Sequence, residues 1–274
     1  MSVINTNFAA IKARSNLDRI QRDMDSSIAR LSSGKRITAA ADDAAGSAIV
    51  GRMESQIRGL NMSIRTAKDG QSLVNTQEGS MQEIVAILQR MRELAVQSSS
   101  GGLASADKDY LHVEMTQLIA EVNEVAKNTR FNDMQVLTGT QFKFYHDIDV
   151  AGTSIDTVAA SLTTVAIGIT IAAVSIGSKG RAVSASIDKI DTALNTLAEK
   201  RANLGAVSNR FDHIVDNLTN VVANTETAKS RIEDADFAVE TTQLTRNTVL
   251  QQAATSMITQ ANASKNTILA LIQG

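Results

Sequence analysis

The chain has 274 residues and is 43 % hydrophobic but only 3 % aromatic, with no Trp, no Cys and no Pro. A formal net charge of −2 gives no electrostatic reason for a nucleic-acid or anionic-membrane partner, and the absence of Cys excludes disulfides and thiolate metal sites. Ala, Ile, Leu, Val and Met must do the packing, which suits thin helical bundles; a chain without proline has nothing to kink a long rod.

The N-terminus lacks a basic region followed by an apolar one, so no secretory signal peptide is expected. A first helix is predicted from about Thr6 to Leu31. Val3, Ala10, Leu17, Met24 and Leu31 recur every seven residues, and Ile20 and Ile28 broaden the stripe. Ser32, Ser33 and Gly34 end it, with Gly34 suited to a left-handed C-terminal cap. Asp42 or Asp43 caps the next helix, which starts near Ala44 or Gln56 and runs to Ser98. Its seam includes Leu60, Ile64, Ala67, Val74, Met81, Ile84, Leu88, Met91 and Ala95, and Gly70 and Gly79 inside it predict loose middle turns.

The run from Ser98 to Gly102 marks a turn. A third helix follows from about Asp107 to Asn128, with Leu111, Met115, Leu118, Val122 and Val125 on one side. An irregular stretch leads to Gly139. Residues from about Phe142 to Ile176 are rich in β-branched residues and read as one or two hairpins, with VAIGITI at 165–171 as a strand. The charge-free stretch Thr157–Ser178 is long enough to span a bilayer. Its Ser, Thr and Gly content argues against insertion.

The longest periodic run extends from Val183 to Thr225. Val183, Ile187, Ile190, Leu194, Leu197, Leu204, Phe211, Val215, Leu218 and Val222 alternate in steps of four and three, interrupted only by Arg201 and Ser208. This predicts a helix of about 48 residues, roughly 70 Å long. Glu233-Asp234-Ala235-Asp236 breaks it, and a last helix runs from about Phe237 to Ile272 with Leu250, Ala254, Met257, Ala261, Ile268 and Leu271 as its stripe.

The expected fold is mainly α: a long antiparallel helical bundle or coiled coil with a small β-hairpin region at the tip, in which the N- and C-terminal helices pair. The expected segments are 1–42 and 233–274 as terminal helices, 43–140 and 180–232 as the bundle, and 141–179 as the β segment. No catalytic constellation or cofactor site is expected. Asp42-Asp43 and the acids at 233–236 read as helix caps. His112, His146 and His213 have no metal-ligand spacing, and no nucleotide-binding or hydrolase motif occurs.

Nine separated blocks resemble the bacterial flagellin family: VINTN at 3–7, NL at 16–17, RLSSGKRI at 30–37, ADDAAGSAI at 41–49, LQRMRELAVQ at 88–97, NTRFNDMQVLTG at 128–139, RANLGAVSNRFDHIVDNL at 201–218, SRIEDADFAVE at 230–240 and LQQAATSMITQAN at 250–262. Two features depart from the family: NASKNTILALIQG stands where it usually has a proline near the end, and only about 40 residues separate the two halves, against the large domains often inserted there.

The resemblance implies a structural protein, not an enzyme. It implies a short flagellin without large outer domains, secreted through the flagellar type III apparatus and polymerised for swimming into the extracellular filament. A hook–filament junction protein is the alternative within the same class, and a soluble coiled-coil adaptor a more distant one. Implied partners are further copies of the chain, the cap and hook–filament junction proteins, an export chaperone and the vertebrate Toll-like receptor that senses flagellin. No nucleic acid or membrane insertion is implied. Carried over residue by residue, the receptor positions are Arg90, Leu94 and Glu114. Arg90 and Leu94, four apart on one helix, are expected to share an outward face. The expected polymerisation seam is Val3, Leu17, Ile20, Met24 and Leu31 with Leu250, Met257, Ile268 and Leu271.

Overall fold

A computed structural model describes residues 6–145, 154–156, 161–170, 173–177 and 183–273, with side chains up to Ser264. Among the described residues there are five helices: α1 (Phe8–Ser33), α2 (Ala44–Ser98), α3 (Ser105–Asn128), α4 (Val183–Glu233) and α5 (Phe237–Gln273). Two short antiparallel pairs join β1 (Arg130–Phe131) to β2 (Met134–Gln135), and β3 (Lys143–Tyr145) to β4 (Ser154–Asp156). Mainly helical architecture and pairing of the two terminal helices match the sequence reading.

The chain divides into two compact units, one of residues 1–57 with 224–274 and one of residues 58–223. Both divisions fall inside continuous helices, α2 and α4. Sequence reading placed its boundaries at helix ends because an unbroken apolar repeat carries no local mark of where its packing partner changes.

In the unit of residues 58–223, one core joins Met81, Ile84, Leu88 and Met91 of α2, Met115 and Val122 of α3, and Ile190, Leu197, Leu204 and Phe211 of α4. The predicted heptad stripe of α4 is therefore its buried face. Arg201, which interrupts that stripe, lies at its edge and bonds Glu78 of α2 through both Nε (2.9 Å) and Nη2 (2.6 Å). Fully buried Gln77 donates to the Val136 carbonyl at 2.7 Å, tying the chain just after β2 to α2.

The predicted looseness of α2 is not found: the helix runs unbroken for 55 residues. Gly70 is a notch. A Cβ there would lie 2.6 Å from Cζ of Phe211, so only glycine lets that ring seat against the helix. Phe144 of β3 meets the same ring edge-on, with centroids 5.8 Å apart.

Two further expectations need correction. VAIGITI is not a strand. Its described part, 165–170, is turn, closed by Ile167 N–H to Thr163 O (3.1 Å) and Ile169 N–H to Thr164 O (2.8 Å), with Gly168 at φ +76°. Ile167 and Ile169 are buried beside Leu162, Val174 and Ile176. Burial in turns outweighs the β preference of the residues, because that preference measures packing opportunity more than backbone bias. The irregular stretch before Gly139 contains the hairpin β1–β2. Its two turn residues, Asn132 (φ 49°) and Asp133 (φ 63°), take the left-handed region that Asn and Asp tolerate best.

Candidate self-assembly surface

α1 and α5 run antiparallel, since their cross-helix bonds fall between Asn7 and Ala261 O (3.0 Å), Gln21 and Gln251 (3.0 Å), and Arg30 and Glu240 (3.2 Å). Asn7 also caps α1, accepting from the Ala10 N–H at 3.1 Å. The inner face of α1 carries Leu17, Ile20, Met24 and Leu31, all half-buried, together with buried Ser27. This is the stripe read from the sequence, except that Ile28, expected to broaden it, is exposed.

The inner face of α5 differs from expectation. Glu240, Leu244, Asn247, Gln251, Ala254, Ile258 and Ala261 turn inward. Ala254 and Ala261 are where the sequence put them, but Leu250 (44 % exposed) and Met257 (64 % exposed) face outward. Two polar pairs hold this register, Glu240 with Arg30 and Gln251 with Gln21, while Asn247, only 3 % exposed, is buried with no hydrogen-bond partner at its amide nitrogen. Such polar positions fix alignment in coiled coils at a cost in stability. An apolar-periodicity search misses them, and the regular steps of four and three from Glu240 to Ala261 are the signal that could have found them. Val3 and the side chains of Ile268 and Leu271 lie outside the described residues.

The magnitudes show what this register achieves. Burying Leu250 or Met257 instead would gain roughly 1.5–3 kcal/mol each. A partly exposed pair such as Arg30–Glu240 contributes about 1 kcal/mol or less. In this register Leu244 and Ile258 face inward, and Leu250 and Met257 are presented outward. Leu250, Ala253, Ala254 and Met257 of α5 line an open groove of about 490 Å³ with Ala9, Ala13 and Ile20 of α1, and Lys12, Asn16 and Arg19 supply its polar lining. Phe8, Ile11 and Val249 of the same two helices are also exposed.

The pair is anchored where α1 and α4 end. Gly34 takes φ +70° and returns its N–H to Arg30 O at 2.8 Å. Arg36 N–H donates to Glu233 O at 2.6 Å, and Ala235 N–H to Gly34 O at 3.0 Å. The Glu233 carboxylate, nearly buried, holds Lys35 at 2.5 Å and Lys229 at 3.5 Å. Its hydrogen bond raises the Lys35 ammonium above its ordinary pKa.

Of the acids expected to cap helices, Asp43 and Asp236 do so, whereas Glu233 pairs with lysines and Asp42 holds the turn before α2. Asp43 accepts from Gly46 N–H at 2.8 Å at the start of α2, and Asp236 from Ala238 N–H at 2.9 Å at the start of α5. Asp42 accepts from the Ala39 and Thr38 N–H groups and the Thr38 hydroxyl, each at 3.0 Å, which lowers its pKa. Among the described residues no group of three His, Asp or Glu could hold a metal ion, and no helix is long and apolar enough to cross a membrane.

Arg90 and Glu114 come together across α2 and α3 at 2.9 Å, with Glu93 3.1 Å from the same guanidinium. Leu94 does not join them: it is 0 % exposed, inside the core. Four residues advance a helix by about 40° beyond one full turn. That step carries position 94 from the exposed side of Arg90 to the edge of the buried stripe formed by Leu88, Met91 and Ala95.

Residues 4–142 match the model of the bacterial flagellin N-terminal helical region, and residues 187–272 that of the C-terminal helical region. The chain belongs to the bacterial flagellin family. It is 39 % identical to a flagellin of Halalkalibacterium halodurans over 272 residues, covering 99 % of this chain and 100 % of that one. It is 35 % identical to flagellin FlaB2 of Treponema pallidum over 286 residues, again covering 99 % and 100 %. The fold is shared with a putative flagellar hook-associated protein from Vibrio parahaemolyticus at a TM-score of 0.61, covering 70 % of this chain and 100 % of that one at 12 % identity. A likeness at that identity speaks for the helical fold alone, and the junction-protein alternative is not favoured. This flagellin is a structural subunit that polymerises with copies of itself into the bacterial flagellar filament.

Proposed function

We propose that this flagellin assembles through the outward apolar face of α1 and α5, with Leu250 and Met257 at its centre. The observation that carries the reading is the polar-pinned register, which turns two large apolar side chains, Leu250 and Met257, outward along one groove. A neighbouring copy that covers them takes that apolar surface out of water, so the contact forms only on assembly. The half-buried Leu17, Ile20, Met24 and Leu31 hold the two helices together beneath that face. Leu250→Asp should leave the monomer's helicity and melting unchanged, because the site is already partly in water, and should lower seeded elongation by tenfold or more. Elongation at the parental rate would overturn the reading.

The family resemblance supports export through the flagellar type III apparatus, an export chaperone, and contacts with cap and hook–filament junction proteins. The thin terminal pair, with few buried apolar side chains, suits a chain that passes through export unfolded and is ordered last. In a strain whose flagellar export apparatus is deleted the chain should be absent from the culture medium. Its presence there at parental levels would contradict this route. The role is structural, with no catalytic part.

For the Toll-like receptor, the reading now rests on Arg90 and Glu114, an exposed charged pair. Arg90→Ala with Glu114→Ala should reduce receptor activation by monomer at an unchanged melting temperature. Leu94→Ala should act instead through stability, lowering the melting temperature. Unchanged signalling by the charge-pair double variant would contradict the carry-over.

A further inference from the structure

With no cysteine in the chain, methionine is the sole sulfur-bearing residue type. Three of the methionines whose side chains are described are fully enclosed in the core of residues 58–223: Met81, Met91 and Met115. Met62, Met134 and Met257 are well exposed. Of these three only Met257 lines the α1–α5 groove, beside Leu250, Ala253 and Ala254. Its thioether is open to small solutes in the free subunit, in a groove lined by aliphatic side chains together with Lys12, Asn16 and Arg19.

We propose that Met257 is an oxidation site that switches the subunit between assembly-competent and assembly-incompetent forms, resting on the reading that this face is the self-association contact. The oxidant is a peroxide. Its O–O bond breaks and a sulfur–oxygen bond forms. The sulfur gives up two electrons, the peroxide is reduced, and water leaves. The product, methionine sulfoxide, is polar and branched at sulfur. In the free subunit its oxygen faces water at no cost. In an assembled contact that oxygen loses its water, and burying a polar group costs free energy unless a donor replaces the water. A methionine sulfoxide reductase reverses the step, so the block is temporary. Once a subunit is in the filament the neighbouring copy covers the thioether. The vulnerable form is therefore the free subunit.

The test treats purified full-length subunit with graded hydrogen peroxide, maps sulfoxide by peptide mass spectrometry, and measures elongation from filament seeds. Loss of elongation should track the Met257 sulfoxide fraction and reach tenfold or more. Methionine sulfoxide reductases with reductant should restore it. Measured against its own untreated rate, Met257→Leu should keep elongating under the same peroxide, while Met62→Leu with Met134→Leu should remain as sensitive as the parent. Preformed filaments should show slower oxidation at Met257 than free subunits. Full elongation by subunits carrying the Met257 sulfoxide, or equal peroxide sensitivity of Met257→Leu, would overturn the proposal. Leu250→Asp separates the two failures: if it blocks assembly while Met257→Leu is still inactivated by peroxide, the contact stands and the switch falls. If Leu250→Asp elongates normally, both fall.

Discussion

Leu204→Asp should lower the melting temperature of the subunit by more than about 10 °C. Leu204 is 1 % exposed, in the shared core of α2, α3 and α4. The substitution removes an apolar side chain that fills this space, at a cost of roughly 2–5 kcal/mol for truncation alone. It also places a carboxylate there. The guanidinium of nearby Arg201 is already held by Glu78 at 2.6 Å. The new group must therefore either stay protonated or open the core to water. Circular dichroism melts of the parent, Leu204→Ala and Leu204→Asp separate the two contributions, with the Asp variant lower than the Ala variant. An Asp variant that melts with the parent would mean that the α4 stripe is not the buried one.

Removing residues 1–33 or 237–274 should abolish polymerisation and leave a folded helical subunit. The core of residues 58–223 draws no side chain from α1 or α5, so its cooperative melting should persist in both truncations. The elongation rate from seeds should fall to background, because either deletion removes one wall of the groove and the cross-helix bonds made by Asn7, Gln21 and Arg30. A truncated chain that elongates seeds normally would place the polymer contacts elsewhere. One whose remaining core fails to melt cooperatively would contradict the division into two units.

How much of this was legible in the sequence depended on what set each local choice. Where apolar burial decides, periodicity sufficed. The α4 stripe from Val183 to Val222, the seam of α2 and the inner face of α1 all follow from spacing. Where polar pairing decides, apolar spacing misled. The α5 register is held by Glu240 and Gln251 against α1, so the helix is turned by one position and Leu250 and Met257 come out instead of in. Leu94 failed for a related reason. The α2 stripe is widened by packing against both α3 and α4, and a side chain one helical step from exposed Arg90 falls within it. Short-range preference failed at VAIGITI, where turns that bury Ile167 and Ile169 replace the expected strand. It was informative but unread at Asn132-Asp133, whose tolerance of positive φ marks the β1–β2 hairpin. The family blocks identified the role without resolving these points, since they state which residues occur and not which face each one takes.

The most direct test of the central claim is amide hydrogen exchange followed by mass spectrometry on free subunit and on seeded filament. The free subunit should exchange rapidly along α1 and α5, where few apolar side chains are buried and each helix is packed along one side only. In the filament, peptides covering 8–33 and 237–264 should show the largest gain in protection of any in the chain, larger than those of the α2–α3–α4 core, which is already packed before assembly. Exchange along α1 and α5 that is the same in both states, with new protection confined to residues 58–223, would contradict assembly through the terminal helices.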